Sequence, residues 1–185
     1  YEELLKEVCE DSYTRLIEPS IEREVRNELT DKANEQAIKM FEVNLKPLLM
    51  QPPLKDKVIL GIDPGYRTGC KLAVVDDTGK VLETGVAYIT TGEQRKIEQG
   101  KVLVKKLIQK HGVSIIAIGN GTASRETESF IAELIREIPQ KVSYMVVSEA
   151  GASVYSASKL AAEEFPDFDV TQRSAVSIAR RLQDP

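Results

Sequence analysis

The sequence predicts an α/β protein, a mixed five-stranded sheet flanked by helices and preceded by an all-α segment. Three observations predict it. Apolar residues recur near a 3.6-residue period over roughly the first 50 positions. After Pro52-Pro53 the pattern changes to short, continuous apolar runs bounded by turn residues. From Thr90 onward helix-like and strand-like stretches alternate, and strands connected through helices become parallel neighbours with right-handed crossovers.

In chain order, residues 1–50 read as three helices belonging to a larger helical domain. Leu4, Leu5, Val8, Cys9, Leu16 and Ile17 form the first apolar stripe. Pro19 suits the first turn of a second helix, where its missing N–H costs little, and Ile21, Val25 and Leu29 supply that helix's stripe. Thr30 is placed to cap a third, in which Ala33, Ala37, Ile38, Phe41, Leu45, Leu48 and Leu49 face one way and Pro47 is expected to kink or shorten the end. Three helices of this size make a poor core by themselves, so the segment is expected to pack on something else.

Residues 51–57, polar and with consecutive prolines, read as a linker, and residues 58–185 as the sheet domain. Residues 58–62 suit a buried central strand, ended by Asp63-Pro64-Gly65. Residues 70–75, a turn at Asp77-Thr78-Gly79 and residues 80–89 complete an antiparallel meander. Thr91 with Gln94 fits a capping box that opens a helix reaching Lys110. Residues 113–119 form a strand; Ser124 then caps a helix that buries Phe130, Ile131, Leu134 and Ile135 and stops at Pro139. Residues 142–147 are the fifth strand, and helices over 152–164 and 172–182 complete the chain.

With 42% hydrophobic and 29% charged residues, the 185-residue chain has the balance of a globular protein able to bury a core. Its 25 Lys and Arg against 29 Asp and Glu give a net charge of −4, without the basic footprint that marks many nucleic-acid binders. The average hides a split: residues 1–57 carry 9 basic and 13 acidic side chains, residues 58–185 carry 16 of each. The sequence contains no apolar run of about 18 residues, and its acidic start is unlike a secretory signal, so a cytoplasmic location without membrane contact is expected. Cys9 and Cys70 have no Cys or His partner at ligand spacing, which argues against a disulfide scaffold or a zinc site. With His111 the only histidine, a metal site would rest on carboxylates. The chain lacks an initiator Met and stops at Gln183-Asp184-Pro185, and is expected to be a piece of something longer.

Ligands of open α/β sheets gather beyond the carboxyl ends of parallel strands. Three predicted strand ends lead there: Asp63, Gly119-Asn120-Gly121 and Ser148-Glu149. Asp63 and Glu149 are the candidate catalytic and metal-binding residues, since paired carboxylates hold Mg²⁺ or Mn²⁺ beside a phosphate. Two-metal phosphodiester cleavage asks for three or four such acids around ions roughly 4 Å apart, and two are evident. The same residues also suit plain structural roles, a turn, a tight bend and a first-turn acid, and the sequence leaves both readings open. For nucleic-acid contact, Arg67 and Lys71 follow Asp63 closely. The stretch 95–111 adds Lys96, Lys101 and Lys105 within a net charge of +5, on a helix whose lysines otherwise serve solubility. Aromatic residues are 5% with no Trp, which makes a base-stacking platform thin.

Three segments carry a resemblance: Val58-Ile59-Leu60-Gly61-Ile62-Asp63-Pro64-Gly65-Tyr66-Arg67-Thr68-Gly69-Cys70-Lys71, Ser148-Glu149-Ala150-Gly151-Ala152-Ser153-Val154-Tyr155-Ser156, and the stretch from Arg173 to Pro185. They closely resemble the bacterial Tex family of transcription accessory proteins, and Pro19-Ser20-Ile21-Glu22-Arg23-Glu24 with Gln51-Pro52-Pro53-Leu54-Lys55 resembles it too. The resemblance implies that residues 58–185 form a YqgF-type domain with the ribonuclease H-like fold of RuvC-type Holliday-junction nucleases. It further implies that helix-hairpin-helix and OB-fold RNA-binding domains lie outside this stretch, so that RNA or DNA, and the transcription machinery, are met mainly through them. In the nuclease branch of the fold, acids follow the first strand, stand near later strand ends and reappear at the start of the last helix. Asp63 and Glu149 match the first two. The last helix instead begins near Arg173-Ser174, a cation or hydroxyl where a carboxylate is expected, and Arg173 joins the nucleic-acid candidates. Asp167 and Asp169 precede it as possible substitutes.

The expectation is therefore a catalytically degenerate, nucleic-acid-associated scaffold without a cofactor, the alternative being an active RuvC-like nuclease using Mg²⁺ or Mn²⁺. Asp63-Pro64-Gly65 with Thr68-Gly69 also resembles the first phosphate loop of actin-like sugar kinases, which bind ATP between two lobes where this sequence offers one. A further reading is that the chain mainly contacts protein, with the acidic helices of residues 1–50 docking on the rest of a parent chain.

Overall fold

Helix gives way to sheet at the paired prolines. The computed structural model describes residues 1–90 and 92–185. The capping box expected of Thr91 and Gln94 lies outside the described residues. Two compact units result, Tyr1–Gln51 and Pro52–Pro185.

The first unit corrects the expectation of three helices. Helix α1 (Glu2–Ser12) runs through a π-helical turn (Tyr13–Ile17) into α2 (Glu18–Leu49), a 32-residue helix. Thr30 does not cap; its hydroxyl donates to the Arg26 carbonyl at 2.8 Å, the back-bonding that lets a threonine sit inside a helix. Pro19 falls in the first turn of α2, as its missing N–H favours, and Pro47 is accommodated in the last turn. Among the described residues, none of this unit's helical side chains is buried.

The second unit is a five-stranded sheet in the order β3-β2-β1-β4-β5, with β1 at Ile59–Asp63, β2 at Cys70–Val75, β3 at Val81–Ala87, β4 at Ile115–Gly119 and β5 at Ser143–Val147. The meander β1-β2-β3 is antiparallel, while β4 and β5 run parallel to β1. Each helix that carries the chain between parallel strands reads off the sequence, α3 (Gln94–His111) and α4 (Ser124–Glu137). Gly112 ends α3 in the left-handed conformation, φ +65°, which a glycine adopts without penalty. Ser124 does not cap α4: Ala123 holds the cap position with φ 66° and Ser124 is the first helical residue. The single helix expected over 152–164 is two, α5 (Ala150–Ser156) and α6 (Lys159–Glu164). Ser158 breaks the run because its hydroxyl accepts from the Ala161 N–H at 3.2 Å, which fixes it as a cap. The last helix, α7 (Val170–Arg180), starts two residues earlier than expected, from a capping box in which Asp169 accepts from the Gln172 N–H at 2.7 Å and Gln172 accepts from the Asp169 N–H at 3.0 Å. The expected linker is fastened at its far end: the Leu54 N–H donates to Leu182 and the Gln183 side chain to the Lys57 carbonyl.

Strand alternation divides the core in two. Leu60, Ile62, Leu72 and Val74 pack with Val104, Leu107 and Ile108 of α3 and Ile131 and Leu134 of α4. Ile59, Ala73 and Ala117 pack on the other face with Ala175, Ile178 and Ala179 of α7. At Gly61 a Cβ would overlap the Ala175 carbonyl oxygen, so the glycine and the two alanines together let α7 lie directly on β1. That close approach is what brings the start of α7 to the end of the central strand. Among the described residues no helix is long and apolar enough to cross a membrane.

Candidate functional site

Asp63 ends β1 half-buried, in one cleft with Ser174 from the second turn of α7. Burial pushes its pKa up to about 6; the Ser174 hydroxyl opposes the rise, the negative charge of Glu149 adds to it, Lys71 opposes it and Asp169 adds again. Asp63 and Glu149 line one cleft of about 210 Å³ together with Ser153, Ser156, Thr171 and Ser174.

Glu149 is fixed by the bend after β4. Its Oε1 accepts from the Gly121 N–H at 2.9 Å, and its own N–H donates to Asn120 Oδ1 at 3.1 Å. A Cβ on Gly119 or on Gly121 would overlap the Glu149 carboxylate, so both glycines make room for it. The bend and the acid, read separately from the sequence, are one device that seats a carboxylate at the sheet edge. Glu149 is also the residue at the start of α5, so its structural and site roles coincide.

The other candidates divide. Arg67 is exposed on the loop after β1. Lys71, expected to meet a phosphate, is instead buried at 8% exposure, its Nζ donating to the Thr68 carbonyl at 2.6 Å. Arg173 turns away from the cleft, donating to the Phe165 carbonyl at 3.1 Å. Lys96 pairs with Glu93 at 2.8 Å and lies over the Tyr88 ring. Lys101 and Lys105 both donate to Glu137, at 2.5 and 2.8 Å, and so stand on the α3–α4 side, away from the carboxylate pair. Asp169 is committed to capping: burial works to raise its pKa, but hydrogen bonds from Thr171 and Gln172 outweigh it and hold the carboxyl below its ordinary range. Asp167 is exposed. His111 sits on Glu83 at 2.6 Å, at the far end of α3, and both cysteines are free. Ser153, Ser156 and Thr171 line the cleft without having been singled out from the sequence, where three more hydroxyls in a serine-rich stretch carry no distinguishing signal.

Among the described residues no group of three or more His, Cys, Asp or Glu side chains is arranged to hold a metal ion. The donor set at the cleft, two carboxylates with one oxygen of Glu149 already bonded to a backbone N–H, does not fit a pair of divalent ions.

A mixed sheet in this order, with an acid at the end of its central strand and a second beyond a parallel neighbour, defines the ribonuclease H-like class of nuclease folds. Consistently, T. thermophilus RuvC, solved in complex with a Holliday junction substrate, superposes with a TM-score of 0.53 at 15% identity, over 68% of this chain and 91% of that one. The family model for the Tex protein YqgF-like domain matches residues 57–183, and the chain belongs to that family. It is 60% identical over 183 residues to the uncharacterized protein YdcI of Bacillus subtilis, covering 99% of this chain and 25% of that protein. To the transcriptional accessory protein Tex of Neisseria gonorrhoeae it is 53% identical over 169 residues, covering 90% of this chain and 21% of that protein. The chain thus spans a quarter or less of these relatives' length.

Proposed function

We propose that this chain contributes a nucleic-acid-associated scaffold domain to a transcription accessory protein, on a nuclease fold whose carboxylate pair does not drive cleavage. The observation that carries the reading is that Ser174, near the start of the last helix, lines the cleft beside Asp63 and Glu149 where a third carboxylate is expected. A neutral hydroxyl there adds no negative charge to Asp63 and Glu149, and two carboxylates are too few to balance two divalent ions. On this reading the cleft needs neither Mg²⁺ nor Mn²⁺. The accessory-protein name of the Neisseria relative and the junction bound by RuvC support nucleic acid as the partner. Contact with RNA or DNA, cytoplasmic location and work beside the transcription machinery follow from the same reading, with most of the contact made by domains outside these 185 residues. Arg67, exposed on the loop that follows Asp63 and β1, is the cation put forward to meet a phosphate.

The test incubates labelled branched DNA, single-stranded RNA and duplex with Mg²⁺ or Mn²⁺, comparing wild type with Asp63→Ala. The expected result is no cleavage by either protein and equal retention of the nucleic acid. Cleavage by the wild type that Asp63→Ala abolishes would establish the alternative, an active metal-dependent RuvC-like nuclease.

A further inference from the structure

Strand β2 carries one charged residue, Lys71, and its other five, Cys70, Leu72, Ala73, Val74 and Val75, are apolar and fully buried. Lysine is among the residues least often buried, because an ammonium leaves water at high cost unless an opposite charge compensates it. No carboxylate lies within ion-pair distance of it among the described residues, but the register brings one near. Lys71 lies directly across the β1–β2 ladder from Asp63. Alternation places it on the same face as Ala73, the face that α7 covers. Its charge acts on Asp63 and also on Asp169 at the start of α7. Of the three N–H bonds an ammonium offers, one goes to the Thr68 carbonyl. A lysine shut inside an otherwise apolar strand therefore sits next to the place where the sheet edge gathers carboxylates.

We propose that Lys71, buried across the ladder from Asp63, is a fixed counter-charge beside the carboxylate pair that disfavours a divalent ion in the cleft. The proposal rests on the scaffold reading and gives it a physical cause. One fixed positive charge steadies Asp63 against Glu149, yet it has no vacant coordination position for a phosphate oxygen or a water, so it supplies charge balance without Lewis acidity. A divalent ion entering the cleft would be repelled by this ammonium through a partly buried, weakly screened path.

The test measures Mn²⁺ binding by calorimetry on the 185-residue chain without nucleic acid, for wild type, Lys71→Met and Lys71→Met combined with Asp63→Asn. Removing the ammonium is expected to tighten Mn²⁺ binding at least about tenfold over wild type, and the added Asp63→Asn to abolish the gain. Equal Mn²⁺ affinity in wild type and Lys71→Met, whether both bind or neither does, overturns the proposal. Should Lys71→Met fail to fold, far-UV circular dichroism of the double variant decides. Recovery of the fold when both charges are removed supports the pairing, and failure to recover overturns it. Cleavage by the wild type would defeat the scaffold reading on which the proposal rests, whereas Mn²⁺ affinity measured without nucleic acid reads separately whether Lys71 sets the charge of the cleft.

Discussion

The two faces of the sheet differ where their helices meet β1. Toward α3 and α4 the strands present Leu60, Ile62, Leu72 and Val74, met by branched side chains of similar size. Toward α7 the centre of the contact is Gly61, Ala73 and Ala117 against Ala175 and Ala179, with Ile59, Val75, Ile178 and Leu182 around it. The first face buries volume, at about 1.5–3 kcal/mol for each large side chain removed from water, and sets how stable the sheet is. The second buries volume too, but its small residues also set a distance: they bring the α7 backbone onto β1, so that Ser174 lines the same cleft as Asp63. Both faces contribute stability, and the site geometry is set by one.

The sharpest way to break this comparison is to add volume where distance matters. Gly61→Val pushes a branched side chain into the Ala175 carbonyl, an atom that cannot step aside, and is expected to cost well over about 3 kcal/mol and leave the domain largely unfolded, read by urea denaturation. Removing volume on the other face costs less: Leu107→Ala, which leaves a cavity beneath α3, is expected to lose about 3 kcal/mol. In that variant the Asp63 carboxyl should still titrate near 6 by carbon-detected NMR, because the α7 face is untouched. A return of Asp63 toward 4 would show that the faces are not separable.

A smaller effect isolates the site. The folded pKa of Asp63 is raised to about 6 from 3.8. Between those values the folded protein holds a proton that the unfolded chain has released, so this group's contribution is most favourable at the acid end of the window and is lost as pH rises through about 6. After screening by solvent the loss is expected to be about 1–2 kcal/mol. Urea unfolding at pH 4.5 and 7.5 should therefore show Asp63→Asn gaining on the wild type at the higher pH; identical pH dependence in the two proteins would contradict the burial of Asp63. Asp169→Ala, which removes the cap of α7, is expected to cost about 1 kcal/mol by the same measurement.

What the sequence made legible follows the same division. Contiguous apolar runs announced the central strands to within a residue or two, and Asp63 stood visibly at the end of one. Contacts across elements left no such trace. Thr30 looked like a cap because threonine suits that position, but its hydroxyl found the Arg26 carbonyl and the helix ran on. Lys71 looked like a surface cation because lysine is usually one. The contrary signal was present, a single charge within a strand of five apolar residues, and its meaning depended on a register with Asp63 that pattern alone does not give. That Glu149 lies on Gly119 and Gly121, 28 or more residues away in the chain, is likewise a matter of packing.

The smallest effect concerns the lysines of α3. Lys101 and Lys105 share Glu137 at 2.5 and 2.8 Å, and the carboxyl of Glu137 is held below its ordinary range by those two hydrogen bonds. Exposed pairs of this kind contribute little to folding, so Glu137→Gln should leave the unfolding midpoint where it is. It should act on binding instead. With the carboxylate gone, both ammonium groups are released to phosphate, and retention of duplex DNA at low salt should rise about two- to threefold, with a salt dependence steeper by at most about two units. Such a gain would place nucleic-acid contact on the α3–α4 side of the sheet, the side away from Asp63. Unchanged retention would instead leave the exposed Arg67 and the neighbourhood of the carboxylate cleft as the surface to pursue.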